Sequence, residues 1–292
     1  MINNNIKENI AIEVINTLYS RFLSFPNEST MSRNEPFLKA FLKAFEPKLC
    51  NKNNTDILFV INMASWLHGL KTTLGQSFFE SIGSILSGGQ KKSFSGANSR
   101  LNITNTQKEE ISDIITDLKN RNRTPNLLEE NNRLIESSKN GHKIDANDFT
   151  VDIFYENNDE ITCIELKSVR PNAGELRGEK QKILEAKAAL IYSYPGKKIN
   201  YFFGFPFDPT STTDCGYDKN NFRNSLIDGE KYLAIQEFLL ASELWDFLSN
   251  ETNTMECILE IINKISTPEF QDYFCNINNS INRDKDYATS FL

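Results

Sequence analysis

Two short runs decide the fold: Phe149-Thr150-Val151-Asp152-Ile153-Phe154-Tyr155 and, after Asn157-Asn158-Asp159, the run Ile161-Thr162-Cys163-Ile164-Glu165-Leu166-Lys167-Ser168-Val169. Apolar and polar residues alternate in both, which is the period of a β-strand, and the Asn-Asn-Asp between them is turn chemistry, so the pair reads as a β-hairpin. Pro171-Asn172-Ala173-Gly174 breaks it, a helix is predicted from Glu175 to about Tyr194, and Ile199 to Phe205 forms a third strand before the turn-rich loop Pro206 to Asp218. Strand, strand, helix, strand is the nucleus of an α/β fold, with the last strand parallel to the one before the helix through a right-handed crossover. The expected class is therefore α/β, a central mixed sheet flanked by helices.

Outward from this nucleus the spacing turns helical. Ile10, Ile12, Val14, Ile15, Leu18 and Phe22 mark a first helix ended by Pro26, and Phe37 to Phe45 a second. Asp56 to Leu86 reads as a buried helix, or a pair broken near Gly69, that stops at Gly88-Gly89. Gln90 to Gly96 reads as a flexible basic loop. Thr106 is placed to cap a helix to Asn120, and Thr124-Pro125 to open another through Leu127, Leu128, Leu134 and Ile135. Lys231 to Leu248 and Met255 to Ile265 are predicted helical. The division expected is a mainly helical region at 1–140 and a second region at 141–292 that holds the hairpin and C-terminal helices, together forming one compact body.

Nothing in the N-terminal residues resembles a secretion signal, and no apolar run is long enough for a membrane span, so a cytoplasmic protein without a membrane partner is expected. Cys50, Cys163, Cys215, Cys257 and Cys275 are scattered, which argues against disulfides and zinc; His68 and His142 are too few for a histidine metal centre and read as structural. The formal charge of −7 averages over unlike surfaces. Lys91, Lys92, Arg100 and Lys108 stand in a stretch without acids, and Lys167 to Lys198 is rich in Lys and Arg. Acids crowd Ser225 to Phe274 instead. One part suits a polyanion and another a solvated shell.

Glu-x-Lys occurs at Glu46, Glu165 and Glu185, but only Glu165-Leu166-Lys167 lies in a predicted strand, where residues two apart share a face. Across the hairpin, at about 4.8 Å between strands, Asp152 interrupts the apolar run. Two neighbouring carboxylates call for a raised pKa or a divalent cation, and oxygen donors without His or Cys select a hard ion, Mg²⁺, with the Leu166 carbonyl as a further ligand. Lys167 is then placed to orient a water and offset charge at phosphorus, as in metal-assisted phosphodiester hydrolysis. An ordinary surface salt bridge on an exposed hairpin is the plain alternative.

Asp152 with Ile164-Glu165-Leu166-Lys167 resembles the PD-(D/E)xK nuclease signature, with Val151 where the proline stands. The stretch Glu165-Leu166-Lys167-Ser168-Val169-Arg170-Pro171-Asn172-Ala173-Gly174-Glu175-Leu176-Arg177-Gly178-Glu179-Lys180-Gln181-Lys182-Ile183-Leu184 is similar to the TdeIII/MjaII-type restriction endonucleases. The resemblance implies a restriction-endonuclease-like core and a homodimeric Type II enzyme that cuts double-stranded DNA at a short G·C-rich palindrome such as GGNCC. It also implies Mg²⁺, with Mn²⁺ as a substitute, and a cognate DNA methyltransferase in the same system. Asp152, Glu165 and Lys167 would be catalytic, with Asp152, Glu165 and Leu166 holding the metal.

The helix after the catalytic strand carries Lys180 and Lys187 on its apolar stripe, where a lysine either snorkels outward or reaches past the sheet toward a phosphate. Glu175 suits the helix dipole, Glu179 and Lys180 are candidate accessory groups of the active strand, and Glu130 is a candidate for a further metal ligand. Arg170, Asn172 and Arg177 are candidates for reading base edges, and Lys91, Lys92 and Arg100 for gripping phosphates; a solvated surface charge is the alternative for each. Two rival functions remain at this stage: a structure-specific repair or junction nuclease, and a non-catalytic DNA-binding module.

Overall fold

The computed structural model describes residues 2–25, 42, 57–167 and 173–270. Seven strands are described: β1 (Gln90–Phe94), β2 (Asn102–Thr104), β3 (Lys143–Asp145), β4 (Phe149–Glu156), β5 (Glu160–Leu166), β6 (Lys198–Phe205) and β7 (Phe238–Leu240). Five form one sheet in the order β1-β4-β5-β6-β7, while β2 and β3 pair separately. β1/β4 and β4/β5 are antiparallel, β5/β6 and β6/β7 parallel. The helices are α1 (Asn4–Leu23), α2 (Ile57–Thr73), α3 (Phe79–Ser87), α4 (Gly96–Ser99), α5 (Asn105–Asn120), α6 (Leu127–Ser138), α7 (Ala173–Ser193), α8 (Lys219–Ser225), α9 (Gly229–Tyr232), α10 (Ser242–Ser249) and α11 (Thr254–Ile265). The α/β class expected from the hairpin and its crossover helix is the observed one.

Contacts divide the chain into two units, Met1–Lys7 with Phe79–Glu260 and Glu8–Phe78 with Ile261–Leu292. The sheet belongs to the first. Ile161, Thr162, Cys163 and Ile164 of β5 are all buried, and since successive strand residues point to opposite faces, both faces of the central strand are covered. The space is tight. A Cβ on Gly83 of α3 would lie 2.2 Å from Ile153 Cδ1, and one on Gly204 of β6 would lie 2.8 Å from Ile164 Cγ2 and 2.9 Å from Leu166 Cδ2. In the second unit the Arg21 guanidinium donates to the Trp66 carbonyl at 2.8 Å, and the Trp66 indole N–H donates back to the Arg21 carbonyl at 3.1 Å.

Several elements differ from the sequence reading, each for a local reason. Gln90–Phe94 is a strand, not a flexible loop: Phe94 is buried and stacked on Phe149 at 4.8 Å, and the Lys92 ammonium lies 3.8 Å from the Phe154 ring centroid. Cation–π contact lets a lysine occupy a strand position that looks solvated in sequence. Lys231 to Leu248 is not one helix but the end of α9, a 3₁₀ turn at Ile235–Glu237, β7 and α10; a three-residue apolar run such as Phe238-Leu239-Leu240 has no period of its own. Gly69 sits inside α2, with the Arg21 guanidinium 3.0 Å from where its Cβ would be, and the irregularity falls instead in the π segment Leu74–Phe78.

Helix caps moved by two residues. Thr104, not Thr106, accepts from Gln107 N–H in a capping box that opens α5, and Asn126, not Thr124, accepts from Glu129 N–H at the start of α6. The regular strand β5 ends at Leu166, short of Val169. The predicted helix Phe37 to Phe45 lies outside the described residues apart from Leu42. His68 and His142 are exposed and not packed inside, whereas Cys163 is the buried packing residue expected.

Candidate active site

β4 and β5 pair in the register Ile153↔Ile164 and Phe154↔Cys163, which sets Asp152 and Glu165 beside each other at one end of the hairpin. The backbone of the next residue fixes the first acid: Leu166 N–H donates to Asp152 Oδ2 at 2.9 Å. β5 then hands its edge to β6, as Lys167 N–H donates to the Gly204 carbonyl at 2.8 Å. The cluster thus sits where the parallel strands β5 and β6 end, the edge of an α/β sheet at which side chains converge.

Lys167 lies between two acids. Its Nζ is 3.0 Å from Glu165 Oε1 and 2.9 Å from Glu179 Oε2, and Glu179 Oε1 is held in turn by Lys182 at 3.0 Å. Glu179 comes from the first turns of α7, so one helix and one strand end share the ammonium. Asp152, Glu165 and Lys167 expose 15%, 22% and 21% of their side chains, enough for access from one side and too little for full hydration.

Electrostatics follow from that partial burial. Burial, and after it the charge of Asp152, raises the Glu165 pKa above the usual carboxylate value. Burial pulls Lys167 down, but Glu165 and Glu179 more than reverse it, and the ammonium is held above its ordinary pKa. Glu179 is lowered, because the hydrogen bonds from Lys167 and Lys182 outweigh its burial. The Tyr201 phenol, buried on β6, is pushed well up by burial and by the negative charge of Glu165. The donor set fits a hard divalent cation: its oxygens belong to carboxylates, and Glu165 is short of positive charge even with Lys167 beside it.

A second lysine also faces the site. Lys91 of β1 places Nζ 3.6 Å from Asp152 Oδ1 and 2.9 Å from Glu80 Oε2. The sequence suggests only a phosphate grip for Lys91 and gives no sign of Glu80, in the first turn of α3. No spacing rule links residue 80 to residue 152; the packing of α3 on β1 and β4, with Lys91 between the two acids, brings them near.

Other candidates lie elsewhere. Lys180 and Lys187 neither snorkel nor reach a phosphate: they are 0% and 1% exposed. Lys180 Nζ is 2.6 Å from Glu130 Oε2 and 2.5 Å from Glu237 Oε1, while Lys187 Nζ stands 3.7 Å from Glu237 Oε1. This corrects three expectations. Glu130 is a buried partner of Lys180 instead of a further metal ligand, Lys180 is not an accessory of the active strand, and Lys187 is sealed from any duplex. Arg100 has its guanidinium fork on Asp148, Nε to Oδ1 at 2.6 Å and Nη2 to Oδ2 at 3.0 Å. Lys92 lies over Phe154, Arg177 is exposed on α7, and Arg170 and Asn172 fall outside the described residues.

Comparison with known proteins finds relatives over most of the chain. A family model described as "Type II restriction endonuclease, HinfI" matches residues 2–266. The Type II restriction enzyme MjaII of Methanocaldococcus jannaschii is 47% identical over 289 residues, covering 97% of this chain and 77% of that protein. Both matches run through both units and not just the hairpin, in keeping with the TdeIII/MjaII-type stretch seen in the sequence. The chain belongs to the HinfI family of Type II restriction endonucleases.

Proposed function

We propose that the protein hydrolyses double-stranded DNA at a short G·C-rich palindrome of the GGNCC kind, with Mg²⁺, leaving 5′-phosphate and 3′-hydroxyl ends. The observation that carries this is the convergence of Asp152, Glu165 and Lys167 on one partly exposed corner of the sheet. A 47% identical relative named as a Type II restriction enzyme supports it.

Asp152 and Glu165 hold the cation, with the Leu166 carbonyl as third oxygen. The N–H and C=O of one strand residue project to the same edge, and Leu166 N–H already points at Asp152. Among the described residues no group of three or more acid, His or Cys side chains gathers for a metal, and the ligand set proposed is two carboxylates with one main-chain oxygen. A cation held by Asp152, Glu165 and the Leu166 carbonyl would supply Lewis acidity at this corner of the sheet. Lys167, kept protonated by Glu165 and Glu179, works as a charge and a hydrogen-bond donor rather than as a base: it orients the water and faces the negative charge that builds on phosphorus.

Lys91, Lys92 and Arg100 serve phosphates, and Arg170, Asn172 and Arg177 read base edges. The residues 1–140 add dimer and DNA contacts to the chemistry of 141–292. A homodimer matches its two-fold axis to the palindrome, acts in the cytoplasm, and is accompanied by a methyltransferase that protects the same site. Plasmid DNA incubated with the protein and Mg²⁺, or Mn²⁺ in its place, should give discrete fragments whose ends map to one palindrome. Asp152→Ala should give none; undiminished cutting by that variant defeats the assignment.

A further inference from the structure

The pairing of β1 with β4 jumps from Gln90↔Phe154 to Lys92↔Val151. Lys91 alone therefore stands opposite two residues, Asp152 and Ile153, so the extra residue of this β-bulge lies on β4. Bulges re-aim side chains, and this one falls on the first acid of the site. Ile153 is committed to the interior, with its Cδ1 where a Cβ of Gly83 would be. Asp152 is left with one oxygen bound by Leu166 N–H and the other, Oδ1, turned to Lys91.

Lys91 is divided between two acids of unequal claim. Its Nζ meets both Glu80 oxygens, at 3.1 and 2.9 Å, but stands 3.6 Å from Asp152 Oδ1, an ionic contact beyond hydrogen-bond reach. Its side chain is 55% exposed and Asp152 only 15%. Its neighbour Lys92 is seated over Phe154 and Phe94, which anchors β1 beside the more exposed Lys91 head. Asp152 Oδ1 is also the oxygen that a cation would use, since Oδ2 already accepts a main-chain bond.

We propose that Lys91 is the internal counter-ion of Asp152 in the metal-free enzyme, and that Glu80 is the positioning residue that takes Lys91 over when a divalent cation binds Asp152. This rests on the assignment of Asp152 as a cation ligand. The ammonium and the cation compete for one oxygen, and Glu80 favours the cation by holding the displaced ammonium at a second acid 2.9 Å away. Glu80 thus acts on the metal through Lys91 and not by coordination.

The test is Mn²⁺ affinity without DNA, followed by loss of the free-ion EPR signal. Lys91→Met should bind Mn²⁺ more tightly, by roughly two- to fivefold as befits a partly exposed ion pair. Glu80→Gln should bind it more weakly by a similar factor, because Lys91 then falls wholly to Asp152. In the double variant the Glu80 effect should vanish, leaving the affinity of Lys91→Met. Unchanged or weaker binding by Lys91→Met overturns the proposal, as does a Glu80 effect that persists in the double variant, which would make Glu80 a ligand. Asp152→Ala separates the two levels: if it binds Mn²⁺ as the parent does, the cation-ligand assignment fails and this proposal with it. If Asp152→Ala loses binding while Lys91→Met is unchanged, only the counter-ion role fails.

Discussion

Lys167 shows how much chemistry one side chain inherits from its neighbours. With Glu165 at 3.0 Å and Glu179 at 2.9 Å it stays protonated, so its loss removes a positive charge from the cluster and not a proton acceptor. Lys167→Met should slow cleavage by about 10²- to 10³-fold while leaving duplex binding in Ca²⁺ intact, read by single-turnover kinetics and a gel-shift assay. Glu165 behaves oppositely. Its folded pKa lies above the ordinary value because of burial and of Asp152, so the protonated form favours folding and that contribution is lost as pH rises through the folded pKa. Without divalent cation, Glu165→Gln should therefore melt higher than the parent at pH 7 to 8, with the gap closing toward pH 4. A lower melting temperature at neutral pH would contradict the shift. Of these residues, Asp152, Glu165 and Lys167 are legible in sequence, because a strand's two-residue period and a hairpin's turn are local signals. Glu80 and Tyr201 carry no such signal, since α3 and β6 reach the hairpin from other parts of the chain.

At the scale of elements, α6, α7 and the 3₁₀ turn before β7 are joined by Glu130, Lys180, Lys187 and Glu237. The sequence marks Lys180 and Lys187 as odd residues on an apolar stripe, but their acids come from remote segments and cannot be paired with them by periodicity. The two lysines differ. Lys180 meets two carboxylates, which overcome its burial and raise its pKa, whereas burial and the nearby Lys180 leave Lys187 lowered despite Glu237. Lys180→Met strands Glu130 and Glu237 and should destabilise by about 3–5 kcal/mol, the cost of breaking a buried pair. Lys187 Nζ has no hydrogen-bond partner, so Lys187→Met should change stability by less than about 1 kcal/mol or increase it. Urea unfolding of both variants reads the contrast, and equal losses would refute it. The same reasoning explains the missed strands. β1 is disguised by two lysines and β7 by its brevity, whereas β4, β5 and β6, with clear alternation or apolar runs between turn residues, are placed from sequence to within a few residues.

The whole molecule carries a formal charge of −7 and yet belongs to a family of DNA-cutting enzymes. Charge is segregated along the chain, and duplex binding should accordingly weaken steeply with salt. If two protomers each cut one strand, mixed dimers made with one Asp152→Ala protomer should turn supercoiled plasmid into nicked circles and stop there. Linear product from such heterodimers would mean that one protomer serves both strands.

The antiparallel hairpin described above has a consequence for the order in which the enzyme matures. β4 and β5 are joined by a tight turn at Asn157 to Asp159, so their pairing closes a short loop and forms early. β6 and β7, which lie parallel and must cross over, arrive late. On a nascent chain Asp152 and Glu165 are therefore expected to come together before the strand that receives Lys167 N–H is in place.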